Sequence, residues 1–189
     1  RIQGSESRDA FPQYNELFDD GILDIRIHFG GDYNEERFDI ETAKWTLDYL
    51  LEEGWTHPTV DRFDRLQIDS GPFSRVIEIN GTPLDIRVSL FHADMVPADQ
   101  ELLLRESLEE TLKEADIFVY SGHAGPGSGF VLDYEPRYEV RAREFSTLTY
   151  RDKYQIYVLD GCQTYRTYVD DLLKNRVNGL ETLDVITAV

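Results

Sequence analysis

The sequence predicts an α/β domain, a three-layer α/β/α sandwich around a mostly parallel central sheet. Two late segments, 116–120 and 155–159, are continuous apolar runs, which are typical of strands buried on both faces. Amphipathic helical patterns separate the apolar runs, and this alternation favours parallel strands with helices on both sides. The length of 189 residues fits one domain with a sizeable core.

The first elements follow from local patterns. We expect residues 1–20, which are polar and rich in turn formers, to be a surface arm, and residues 21–189 to form the domain. Segment 21–29 alternates between apolar and polar residues and ends at Gly30-Gly31, which predicts a strand. Asp39 then offers an N-cap for a helix over 40–53, whose apolar residues recur at intervals of three and four.

The middle of the chain predicts a hairpin and a second helix. Asn80-Gly81 supplies the positive φ angles of a tight turn between two apolar stretches, 76–79 and 84–90. Asp99 is the expected N-cap of a leucine-rich helix that runs to about residue 115.

Two further elements are expected after the strand at 155–159. The first is a helix with Tyr165, Val169, Leu172 and Leu173 facing the core. The second is a last strand at 183–186.

Charge and cysteine content exclude several classes of protein. Lys and Arg number 19 against 37 Asp and Glu, a net charge of −18, which argues against binding nucleic acid or anionic membranes. A single cysteine, Cys162, excludes an internal disulfide framework and a multi-cysteine zinc site. We predict no metal and no cofactor, and we interpret the acidic segment 32–39 as a solvated face, because it lacks the spacing of a calcium loop.

The candidate site consists of His123 and Cys162, 39 residues apart, each just beyond the carboxyl end of a predicted strand. Active groups of open parallel sheets gather at these ends. A thiol becomes a good nucleophile when a histidine is close. Gly122 and Gly161 beside them would let a substrate backbone approach closely. Taken singly, a cysteine is more often a small buried hydrophobe and a histidine a satisfied polar residue, so the prediction depends on their combination.

These segments resemble the caspase–haemoglobinase clan of cysteine peptidases. The resemblance lies in an apolar strand followed by Ser-Gly-His-Ala-Gly at 121–125, and in a second strand followed by Asp-Gly-Cys at 160–162. The metacaspases, clostripain, gingipains and legumains are the most similar members. Over roughly 21–189 the resemblance implies a caspase-like fold and a thiol protease that hydrolyses peptide bonds of a protein or peptide substrate.

Roles for individual residues follow from this resemblance. It implies Cys162 as the nucleophile and His123 as the general acid and base. The amides of Ala124 and Cys162 would form the oxyanion hole, with Ala124 standing where the family has glycine. Ser121, Gly122 and Asp160 are then the substrate-binding residues, and Asp160 implies cleavage after Arg or Lys, as in metacaspases. Asp160 could instead cap the following helix, and we leave both roles open at this point.

The resemblance also raises a question about completeness. The sequence stops at what would be the fifth core strand of the family. The sixth strand and the segment that complete the substrate cleft would then lie on a second chain, or have been trimmed, or be missing from an incomplete enzyme. Two alternative functions remain. The domain could be a catalytically inactive caspase-like interaction module, or an unrelated Rossmann-like enzyme acting on small molecules.

Overall fold

The computed structural model describes residues 12–124 and 129–188, and it has α/β architecture built on a six-stranded sheet. Within these residues the strands are β1 (Ile22–Phe29), β2 (Phe73–Ile79), β3 (Thr82–Phe91), β4 (Ile117–Ser121), β5 (Phe130–Tyr134), β6 (Arg137–Val140), β7 (Gln155–Asp160) and β8 (Leu183–Thr187). The α-helices are α1 (Tyr14–Leu17), α2 (Phe38–Glu52), α3 (Glu101–Glu114), α4 (Ala142–Phe145) and α5 (Thr164–Leu173). Short 3₁₀ turns occupy Phe63–Arg65, Ala93–Met95 and Gly179–Glu181.

The sheet order is β2-β3-β1-β4-β7-β8. All neighbouring strands pair in parallel except β2 and β3, which form the antiparallel hairpin that the sequence predicts at Asn80-Gly81. Asn80 and Gly81 both have positive φ, at 52° and 81°. The four strands expected to share one mostly parallel sheet, β1, β3, β4 and β7, are therefore adjacent in it.

Helices pack on both faces of this sheet, an arrangement compatible with a three-layer sandwich. Thr46 of α2 lies over the face that carries Ile27 and Phe29 of β1. On the opposite face, the Nε2 atom of His28 lies 2.9 Å from Oγ1 of Thr111 in α3. Because alternate residues of a strand point to opposite faces, α2 and α3 cover opposite sides of β1.

An aromatic cluster joins the separate β5–β6 hairpin to the face that α3 covers. The ring of Phe130 stacks on Tyr120 of β4 at 4.1 Å and on Tyr168 of α5 at 4.5 Å. Phe145 of α4 lies 5.2 Å from the same ring. All four side chains are fully buried, so this cluster fixes the hairpin and α5 beside the carboxyl end of β4.

Several predicted details are wrong at the starts of helices. Asp39 does not cap α2, because its carboxylate pairs with the guanidinium of Arg37 at 2.9 Å. The helix begins at Phe38, two residues before the expected start at residue 40. Asp99 does not cap α3, whose N-cap is Gln100.

The faces of two other segments also differ from expectation. Tyr165 is 51% exposed rather than inward, because α5 turns Thr164, Tyr168 and Leu172 toward the core. The expected arm at 1–20 is not wholly superficial, since Leu17 is buried against Tyr154 and Ile156, while its first eleven residues lie outside the described part.

Candidate functional site

Three parallel strands end in one row at the site. The register pairs Phe29 of β1 with Ser121 of β4, and Ser121 with Asp160 of β7. His123 follows its strand end by two residues and Cys162 does the same, while Asp32 follows the end of β1 by three. The pairing of the strands therefore brings these three side chains to the same edge of the sheet.

Glycines allow the three strand ends to approach one another closely. A Cβ atom on Gly122 would lie 2.7 Å from the Cα of Gly30, and one on Gly161 would lie 3.0 Å from the carbonyl oxygen of Gly122. The amide of Gly122 donates to the carbonyl of Asp160 at 3.0 Å. A larger residue at Gly122 or Gly161 would push the backbones apart, so the glycines set the spacing of the site.

His123 is held from several directions. Its Nε2 atom lies 3.2 Å from Oδ1 of Asp32. Its backbone carbonyl accepts hydrogen bonds from the Tyr120 hydroxyl at 2.6 Å and from the Val131 amide at 3.2 Å. The ring of Tyr33 stacks on the imidazole at 4.9 Å and 29°. The His123 side chain keeps 39% of its surface exposed, so it is oriented but still accessible.

Asp32 is the orienting group for this histidine. Burial alone raises the pKa of its carboxyl, but hydrogen bonds from the Asn34 side chain and amide and from His123 outweigh burial and lower the pKa to about 2. Asp32 is therefore ionised at neutral pH and can only accept. It follows that Nε2 of His123 donates to Asp32, which leaves Nδ1 free to act as the base.

Cys162 and His123 line the same open cleft, which has a volume of about 440 Å³ and also includes Asp32 and Asp160. The Cys162 thiol is free and exposed. It stands two residues before α5, next to the N-cap Gln163. The structure thus brings together the two residues that the sequence singles out.

The two amides expected to form an oxyanion hole lie at this edge as well. The methyl group of Ala124 is 2.9 Å from the Cβ position of Gly161, so the segment after His123 packs against the segment before Cys162. Neither the Ala124 amide nor the Cys162 amide donates a hydrogen bond within residues 12–124 and 129–188. Gln163, next to the thiol, has the unusual φ of 55°.

Asp160 does not cap α5. The N-cap of that helix is Gln163, without a side-chain cap, and the exposed Asp160 carboxylate instead accepts a hydrogen bond from the Ser121 hydroxyl at 3.4 Å. Asp160, Asp32 and Asp39 give the cleft three carboxylates, and no Lys or Arg is among its described lining residues. Arg37 neutralises Asp39, so Asp32 and Asp160 supply the negative charge of the cleft.

The interpretation of 32–39 as a solvated face is wrong for two of its carboxylates. Asp32 and Asp39 are each only 7% exposed, because Asp32 turns toward His123 and Asp39 toward Arg37. Sequence reasoning missed Asp32 as a site residue, although it follows a strand and two glycines. His123 and Cys162 each follow a strand and one glycine in the same way. In the part of the chain that the structure describes, no group of three or more His, Cys, Asp or Glu side chains is arranged to hold a metal ion.

Comparison of the chain with protein-family models, curated protein sequences and solved structures returns no significant match. Among the described helices, none has the length and apolar character that crossing a bilayer requires.

Proposed function

We propose that this protein is a cysteine endopeptidase of the caspase-like type. The observation that carries the proposal is the shared cleft of Cys162 and His123, with His123 oriented by the ionised Asp32. A nucleophile, a base and an orienting carboxylate on one accessible edge are the parts that acyl transfer requires. The central strand order, with the thiol and the imidazole beyond adjacent parallel strands, agrees with the resemblance seen in the sequence.

In the proposed reaction, Nδ1 of His123 takes the thiol proton and the Cys162 thiolate attacks the scissile carbonyl carbon. The amides of Ala124 and Cys162 stabilise the negative charge that develops on the carbonyl oxygen. His123 then gives the proton to the leaving amine, and the carbon–nitrogen bond breaks to leave a thioester on Cys162. Water, deprotonated by His123, attacks the thioester and releases the acid product and the free thiol.

The test is covalent labelling by a peptidyl chloromethyl ketone, followed by intact mass. The native protein should gain one adduct and Cys162→Ala none. His123→Ala should slow labelling by roughly 10²-fold or more, since this is the usual contribution of general acid–base catalysis. Labelling by iodoacetamide is the matched control, because this small reagent needs an exposed thiolate but no peptide recognition by the cleft. Equal peptidyl labelling with and without His123 contradicts the proposal and favours an inactive interaction module.

We also propose cleavage after Arg or Lys, with Asp160 as the residue that selects the basic side chain. The exposed carboxylate faces a cleft with no described cationic lining residue, so a guanidinium or ammonium would gain a charge-assisted hydrogen bond there. Fluorogenic peptides with Arg before the cut should exceed those with Asp by roughly tenfold or more. Asp160→Asn should remove that ratio, whereas Asp39→Asn, whose partner is Arg37, should keep it. A ratio that survives Asp160→Asn would contradict this role.

A second chain that completes the sheet also remains a proposal. β8 is the last strand on its side of the sheet, so its outer edge is open to pairing among the described residues.

A further inference from the structure

Two tyrosines form an aromatic cluster with the proposed catalytic histidine. The ring of Tyr33 stacks on His123 at 4.9 Å, and the ring of Tyr134 meets His123 edge-on at 6.0 Å. The two tyrosine rings are themselves 4.9 Å apart. Tyr33 is 62% exposed, whereas Tyr134 is half-buried and has the guanidinium of Arg137 over its ring at 5.5 Å, so Tyr33 supplies the open aromatic surface.

The histidine has other partners besides this cluster. Asp32 already binds the imidazole, and the hydroxyl of Tyr120 and the amide of Val131 fix its backbone. The exposed ring of Tyr33 is therefore available to bind another flat apolar group, as exposed aromatic rings commonly do.

Its position relative to the cleft indicates which part of a substrate it would meet. Cys162 and Asp160 line the cleft together with His123, whereas neither Tyr33 nor Tyr134 is among the lining residues. In the proposed reaction His123 protonates the leaving amine, so the residue after the cut passes next to the imidazole. Because Tyr33 and Tyr134 contact the imidazole, they lie beside the path that we infer for the side chain of that residue.

We propose that Tyr33 and Tyr134 form a binding site for an aromatic side chain at the residue directly after the scissile bond. This inference rests on the proposed endopeptidase function and adds a specificity on the leaving side of the cut. An aromatic residue in this position would complete an offset or edge-to-face arrangement with Tyr33, an arrangement that aromatic rings prefer.

The test uses internally quenched peptides with Arg before the cut and either Phe or Ala after it. The native protein should prefer Phe by roughly three- to tenfold in kcat/KM, the contribution of about one aromatic pair. Tyr33→Ala should bring the ratio close to one, and Tyr134→Ala should lower it. Tyr33→Phe should retain the ratio, because it keeps the ring. Tyr49→Ala is the matched control, since this tyrosine is 60% exposed but lies on α2 away from the cluster.

Labelling of Cys162 by a peptidyl chloromethyl ketone separates this inference from the proposed function, because that reagent carries no residue after the reacting carbon. Failure of both labelling and cleavage contradicts the endopeptidase and the aromatic site with it. Normal labelling with no preference for Phe, or with a preference that Tyr33→Ala leaves intact, overturns the aromatic site alone. If Tyr33→Ala slows labelling and the cleavage of both peptides equally, Tyr33 is a positioning residue for His123 and the aromatic site is wrong.

Discussion

Asp32 shows how a single carboxylate can set the chemistry of a residue that is distant in sequence. It stands 91 residues before His123, and its oxygen lies 3.2 Å from Nε2 of that histidine. The hydrogen bonds from Asn34 and His123 lower the pKa of Asp32 to about 2, so the ionised carboxylate accepts a hydrogen bond from Nε2 throughout the neutral range. Because one imidazole nitrogen is engaged in this way, the other is available to act as base.

We therefore expect Asp32→Asn to reduce kcat by roughly tenfold or more while KM stays nearly constant. The asparagine has the same size but loses the charge that stabilises the imidazolium, and it can present either an oxygen or an NH₂ group to Nε2. Steady-state kinetics with an Arg-containing peptide measures the effect, alongside the rate of Cys162 labelling.

Asp39→Asn is the matched control for this substitution. Asp39 lines the same cleft and is equally buried, but its carboxylate binds Arg37 rather than His123. We expect it to lower the unfolding midpoint and to leave kcat of the folded protein unchanged. If both variants lose the same activity, Asp32 serves the fold of the cleft and not the orientation of His123.

At the scale of elements, the parallel strands were predictable because continuous apolar runs leave a strong pattern, although one face of β4, with Ile117 and Val119, is only half-buried. β4 and β7 are continuous apolar runs, and Asn80-Gly81 between two apolar stretches is a strong local signal for a tight turn. The starts of helices were less predictable. Asp39 has the chemistry of an N-cap, yet the guanidinium of Arg37, two residues before it, gives its carboxylate a stronger partner.

The site was predictable in part for the same reason. His123 and Cys162 could be placed together because both follow strands with strong apolar patterns. Asp32 follows an equally regular strand, but its contact depends on β1 and β4 being neighbours, and the strand order cannot be deduced from one sequence. Tyr33 and Tyr134 carry no local signal, since Tyr134 belongs to a hairpin outside the main sheet.

At the scale of the whole molecule, two buried histidines link the fold to pH. His28 is buried between α3 and the sheet, where desolvation and then the charge of Arg26 lower its pKa to about 3. His92 is buried against Phe63 with a ring separation of 4.8 Å. Desolvation lowers the pKa of His92 to about 4, with Asp94 and Asp39 opposing the shift and Arg37 adding to it. Both rings are neutral in the folded protein at pH 7.

The sign of the pH effect follows from the protons bound in each state. An unfolded histidine takes up a proton near pH 6.5, whereas His28 and His92 in the folded protein do so only near pH 3 and 4. Between these values the unfolded state binds more protons, so the free energy of unfolding falls as pH falls. Each histidine contributes a slope of up to about 1.4 kcal/mol per pH unit.

Urea unfolding from pH 7 to pH 5.5 measures this slope, in a window above the ordinary titration of the carboxylates. We expect His92→Phe to remove about half of it and to raise stability at pH 7. The phenyl ring keeps the stack on Phe63, and it eliminates two buried ring nitrogens that find no hydrogen-bond partner in the part of the chain described. His28→Gln, which keeps a polar group near the Thr111 hydroxyl, should remove most of the remaining slope.

Because both rings are buried, added salt should leave the slope nearly unchanged, whereas repulsion among the surface carboxylates would be screened. A slope of the same sign that persists in the double variant would assign the pH dependence to other titrating groups. Repulsion from the net charge of −18 would give the opposite sign, because it weakens as carboxylates take up protons.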